Sequence, residues 1–224
     1  MYFGEEDKVT TIRLRYSTVI NYISMLYKLL VAIAFVTIIA RKLSISGFGL
    51  WGILFSVMSM LTTPVGLWSW WVKRFYVRNI KDSVGSGLLL TITYIVFSAC
   101  IYLLIGLIEY KILGWGFEYF LAALPLLMLN IYGTYILSLS QVSMPELIGY
   151  RGFIYDTVRI VFAYLFVAML KWRLFGALFS VEISMFISNA YLSYKLIKKN
   201  VLNLSFSRKI ILELIRGFFV PSLD

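Results

Sequence analysis

The chain has no histidine and one cysteine, Cys100, in 224 residues. Without histidine there is no Ser–His nucleophile, no HExxH zinc site and no imidazole proton relay. A single cysteine excludes an intrachain disulfide framework and a Cys-based metal site. Charge is scarce as well. Charged residues make up 14% of the chain, against about 25% in soluble domains. Acidic residues number only 11, against 21 Lys and Arg, and they form no catalytic or metal-holding pattern. The polar connections on the basic side hold Asp82 and Glu146, far apart and without a DxD or DD pair, and no Gly-rich phosphate loop is present. Catalysis is therefore unsupported, and no cofactor is expected.

What the chain has in abundance is apolar surface. Hydrophobic residues make up 61%, well above the roughly 45–50% of soluble domains. They fall into six long runs, at about 19–40, 48–71, 84–108, 118–141, 153–170 and 174–194. A bilayer core of about 30 Å takes roughly 20 apolar residues as a helix. The runs are too long for strands and lack the alternation of a membrane barrel. They predict an all-α polytopic bundle whose short connections make neighbouring helices antiparallel. The first run is too long for a cleavable signal peptide and lacks a clear A-x-A site, so it reads as a retained helix. Residues 1–18 form a polar leader, 19–194 a six-helix lobe, and 195–224 a basic linker and the start of a seventh helix; an interfacial helix is the alternative for that last segment. No low-complexity linker or soluble domain is visible.

The distribution of basic residues orients the bundle. With a cytoplasmic N-terminus, the inside segments carry thirteen Lys and Arg and the outside loops five. This is the positive-inside pattern of a multi-pass protein of the cell membrane. The net charge of +10 therefore follows topology, and a nucleic-acid partner is not indicated.

Polar residues inside the runs point to function. Asn21, Ser24 and Lys28 share one face of the first helix, spaced by three and four. Ser56, Ser59, Thr63 and Trp70 make a stripe on the second, Asn130, Thr134 and Gln141 on the fourth, and Glu182, Asn189 and Ser193 on the sixth. Ser, Thr and Asn are common at helix contacts in membranes, so packing alone accounts for most of these. Lys28 and Glu182 are harder to place that way. Nine residues from Val19, at about 1.5 Å each, put Lys28 close to the midplane. Glu182 reaches a similar depth from the other side. The two either pair or face one aqueous cavity. Asp156 and Arg159 sit at i, i+3, close enough to pair, with snorkelling to the interface as the plainer alternative. Pro64 and Pro125 lie within the second and fourth runs and predict bends.

The string from Ile38 to Trp51, IIARKLSISGFGLW, resembles the end of the first helix and start of the second in polysaccharide flippases. These are O-antigen and teichoic acid exporters of the multidrug/oligosaccharidyl-lipid/polysaccharide (MOP) exporter superfamily, where a form like ARxLGxxxFGLW recurs. The Gly66–Arg78 stretch looks like the basic segment after that family's second helix. Val158–Val161 with Leu174–Ala177 resembles its fifth and sixth helices, and Ile215–Pro221 its seventh. The resemblance implies a V-shaped transporter that moves a lipid-linked oligosaccharide between leaflets by alternating access, driven by an ion gradient or the membrane potential. It implies cationic cavity residues gripping an anionic pyrophosphate or sugar; by position these are Lys28, Arg74 and Arg159. The family has two pseudo-symmetric lobes and this chain looks like the N-terminal one. A C-terminal lobe is then expected as a partner, on the same or a separate chain, unless the chain is a remnant. A small-molecule exporter of the same superfamily and a non-transporting membrane scaffold are the alternatives.

Overall fold

The computed structural model describes residues 6–80, 82–202 and 205–219, with side chains at 16–80, 82–202 and 205–215. Lys8, Arg13, Arg15 and Lys81 of the charge count lie outside the described side chains, as does the tail from Arg216 to Asp224. All regular elements among these residues are helical: α1 (Glu6–Lys42), α2 (Ile45–Thr62), α3 (Val65–Val77), α4 (Ser83–Leu113), α5 (Phe117–Ser143), α6 (Glu146–Ala163), α7 (Arg173–Lys198) and α8 (Arg208–Phe219). They supply six helical stretches long and apolar enough to cross a membrane, the second made of α2 and α3 together.

Local chemistry sets the ends. Ser44 caps α2 by accepting from the Gly47 N–H at 3.2 Å, which satisfies one of the unpaired donors of a first turn. Gly114 ends α4 in the left-handed region at φ +68°, where a residue without a Cβ carries no penalty. Pro64 separates α2 from α3, as expected of a residue that cannot donate to the helix ladder. Pro125 does not separate anything: α5 runs through it from Phe117 to Ser143. The polar residues before Tyr16 continue into α1 without a break in the helix. After Ala163 the fifth span widens into π-helical turns over Tyr164–Met169, with the Leu170 N–H bonded to the Leu165 carbonyl at 2.9 Å.

Packing is arranged around α5 and α7. In their most apolar windows 44% and 50% of residues are buried, against 17–22% in the other spans. The α1 helix packs on α6, α6 on α7, α7 on α5, and α5 supports α2, α3 and α4. Close approach depends on missing side chains at two places. At Gly106 a Cβ would lie 2.7 Å from the Phe120 ring, so the glycine lets a fully buried phenylalanine sit flat against α4. At Gly87 a Cβ would meet Val72 at 2.5 Å and the Tyr135 hydroxyl at 2.8 Å. That hydroxyl donates to the Val84 carbonyl at 2.5 Å and ties α5 to α4.

Many Ser and Thr hydroxyls bond backbone carbonyls three or four residues earlier in their own helix, as Thr63 does to Ser59, Thr134 to Asn130 and Ser184 to Val181. Their polarity is thereby absorbed locally. The α8 helix lies against α3 and α4, burying Ile210 and Leu214 while Leu212 and Ile215 stay exposed. Ser86 holds its start: the Ser207 N–H donates to the Ser86 hydroxyl at 3.0 Å.

Candidate functional site

The seam between α1 and α6 gathers the polar residues of the first helix. Asn21 donates to the Pro145 carbonyl at 3.1 Å, Ser24 to the Gly149 carbonyl at 3.1 Å, and the Tyr27 hydroxyl meets that of Thr157 at 2.9 Å. Tyr16 and Tyr150 share a 2.7 Å hydrogen bond at one end. The helices come this close because Gly149 and Gly152 face α1. A Cβ on the first would lie 2.5 Å from the Ile20 side chain, and on the second 2.5 Å from the Ser24 hydroxyl.

Above this ladder sits a group of charges. Arg159 bonds Asp156 at 2.7 Å, with the side chains 12% and 1% exposed. The pair is therefore held inside the protein and does not snorkel. The Arg159 guanidinium also lies 4.7 Å from the centre of the Phe35 ring and 5.0 Å from that of Tyr155, so α1 and α6 both face its cationic plane. Lys28 and Arg151 join Arg159 in acting electrostatically on the Asp156 carboxylate. Three cations thus act on one carboxylate, only one of them in direct contact with it, so basic side chains outnumber acidic ones in this group. Lys28 is exposed and in no ion pair among the described residues. One Asp156 oxygen and the Arg159 Nε lack hydrogen-bond partners, which leaves polar capacity in the group for something else.

Arg151 is the residue that sequence reasoning missed. Gly149, Tyr150, Arg151 and Gly152 look like a polar connection before an apolar run, whereas α6 already starts at Glu146, behind Pro145. The signal was there in that proline, since the first turn of a helix tolerates one. Arg151 donates to the Asn189 side-chain oxygen from Nη2 at 3.0 Å and from Nε at 3.3 Å, while Asn189 donates to the Leu129 carbonyl at 2.8 Å. Asn189, 2% exposed, is thus a clamp between α5, α6 and α7.

The other expected site residues lie elsewhere. Glu182 does not meet Lys28. The one ion pair among the described residues is Arg159–Asp156. Glu182 lies on the α4–α5 side of α7, where its charge acts on Tyr102 and the Leu126 backbone approaches its carboxyl. One of its oxygens and the fully buried Tyr102 hydroxyl have no hydrogen-bond partner. Equal depth on two helices says nothing about which way each side chain faces, and here they face apart. Asn130 is half-buried on α5 and is joined to the group by no hydrogen bond among the described residues. Arg74 lines a separate cavity at the end of α3.

Compared by sequence, the chain matches no protein-family model and no curated protein. Its fold is similar to solved structures. A crystal structure of a MATE point mutant superposes with a TM-score of 0.73 at 17% identity, over 92% of this chain and 51% of the other. The outward-facing conformation of a multidrug resistance MATE family transporter of the MOP superfamily superposes at 0.60 and 18% identity, over 91% and 50%. The chain spans about half the length of the structures it matches, and its fold is that of one half of a MATE transporter.

Proposed function

We propose that the chain is one lobe of a membrane transporter of the MOP type, and that its α1–α6 seam grips an anionic group on the substrate. The observation that carries this reading is the excess of basic side chains around Asp156, with Lys28 exposed and in no ion pair among the described residues. An ammonium group at mid-depth is costly toward lipid and is kept where it faces water, protein or a ligand. A lipid-linked oligosaccharide or polysaccharide precursor, with its phosphate linkage, supplies the matching charge. Arg159 is the second cation on this path. Movement between leaflets is by alternating access against a second lobe, on the same or another chain, which packs on the side where Lys28 is exposed.

A second reading has its own support. One of the structures sharing this fold is described as a multidrug resistance transporter, which favours a small-molecule exporter. The charge at the seam argues against a cationic drug and in favour of an anionic one.

The test is genetic complementation. Loss of the gene is expected to leave lipid-linked glycan on the cytoplasmic leaflet, and the wild-type chain to clear it. Lys28→Gln should fail to clear it at normal protein level, and Lys28→Arg should retain part of the activity. Normal glycans with altered drug susceptibility would replace the flippase reading by the exporter one.

A further inference from the structure

A second cationic site lies where α3 and α5 leave the apolar part of their spans. A cavity of about 400 Å³ is lined by Trp70, Lys73, Arg74 and Val77 of α3, by Arg78 just past its end, and by Gln141 and Val142 of α5. None of its three cations is in an ion pair among the described residues. Lys73 and Arg74 are half-buried, and Arg78 is exposed. Their positions are nonetheless organised. Lys73 donates to the Gln141 side-chain oxygen at 3.0 Å, which leaves two of its three protons for another acceptor. The Arg74 guanidinium lies 4.6 Å from the centre of the Trp70 ring and 5.2 Å from that of Trp71, a stacking that fixes its fork of donors.

Depth identifies the ligand. The two spans end at Val77 and Ser143, so the cavity occupies their last turns, the level at which lipid headgroups meet protein. Arg presents parallel N–H donors that match phosphate oxygens, and Lys adds a point charge. Beside the cations, Leu67, Trp70 and Val77 are 50%, 50% and 65% exposed, an apolar shoulder that would be wasted on a free ion. We propose that this cavity binds a phosphate group presented by an anionic membrane phospholipid, with the headgroup among Lys73, Arg74 and Arg78 and an acyl chain along Leu67 and Val77. The site is separate from the Lys28 group and does not rest on the transport reading.

The experiment uses the full chain in nanodiscs of phosphatidylcholine, with increasing phosphatidylglycerol bearing brominated acyl chains. Tryptophan fluorescence is the readout, and Trp70→Phe identifies the share from Trp70. Saturable quenching of that share is expected. Each cation near the surface contributes about fivefold in affinity, so Lys73→Gln/Arg74→Gln/Arg78→Gln together should move half-saturation about a hundredfold. The exposed Arg78→Gln alone should move it about fivefold, which keeps the test open if the triple variant fails to fold. Lys195→Gln/Lys198→Gln, outside the cavity, should change nothing. Quenching that rises linearly with lipid, or that weakens equally in the Lys195/Lys198 variant, overturns the site. Displacement of the lipid by millimolar inorganic phosphate at the same affinity overturns its assignment to a lipid.

Discussion

Replacing Gly152 by alanine should change sign in its effect on stability when Ser24 is also replaced. In the wild-type protein the new Cβ would lie 2.5 Å from the Ser24 hydroxyl, with Ser24 Cβ the next atom at 3.8 Å. Forcing a group into that space costs about 1–3 kcal/mol. Alanine is favoured over glycine within a helix by about 1 kcal/mol, so Gly152→Ala alone should be destabilising by about 0–2 kcal/mol. Ser24→Ala removes the hydrogen bond to the Gly149 carbonyl, which is worth about 0.6 kcal/mol inside a membrane protein. It also removes the only atom among the described residues that stands in the way. In that background Gly152→Ala meets nothing closer than ordinary contact distance, and the helix preference makes it stabilising by about 1 kcal/mol. The coupling between the two changes equals the relieved overlap, about 1–3 kcal/mol. Reversible unfolding of the four proteins in mixed detergent micelles measures it. Equal effects of Gly152→Ala in both backgrounds would show that α1 and α6 are not in contact at Ser24 and would refute the seam. Gly149→Ala should not be rescued in this way, because its Cβ would also meet the Ile20 backbone at 3.2 Å.

Two further outcomes follow from buried charge. Asp156→Ala strands the Arg159 guanidinium, 12% exposed, and should destabilise by about 3–5 kcal/mol, whereas Asp156→Leu/Arg159→Met should recover most of that loss; unfolding in the same micelles reports both. Glu182→Gln removes an ionisable group with no cation in a salt bridge to it among the described residues, so stability at neutral pH should stay level or rise; a loss of more than about 1 kcal/mol would show a buried partner for the carboxylate.

The spans were legible because a bilayer imposes length and hydropathy on each helix separately. Their ends were not. Lys73 and Arg74 look like a loop on hydropathy, yet α3 runs to Val77, because a helix at its membrane exit satisfies its backbone whatever its side chains are. The same reasoning hid Arg151 within α6. Pro64 and Pro125 carry the same local signal, but only the first parts two helices; the second lies in a span whose residues are more often buried against neighbours. Depth along a helix can be counted from sequence, which placed Lys28 and Glu182 at one level. Which neighbour each faces depends on rotation about the axis, so the Asp156–Arg159 pair was legible within one helix while the placing of Lys28 and Glu182 against different neighbours was not.

The α1–α6 seam also sets a schedule for synthesis. Its hydrogen bonds join residues 124–134 positions apart, so the first span enters the membrane long before its partner exists. At about 5–20 residues per second, roughly ten seconds pass with Lys28 in the bilayer and Asp156 still unmade. During that interval the ammonium group must be sheltered by the translocation machinery, by water drawn into the bilayer or by lipid phosphate. Delay in making α6 would therefore expose the nascent chain to quality control at its first helix.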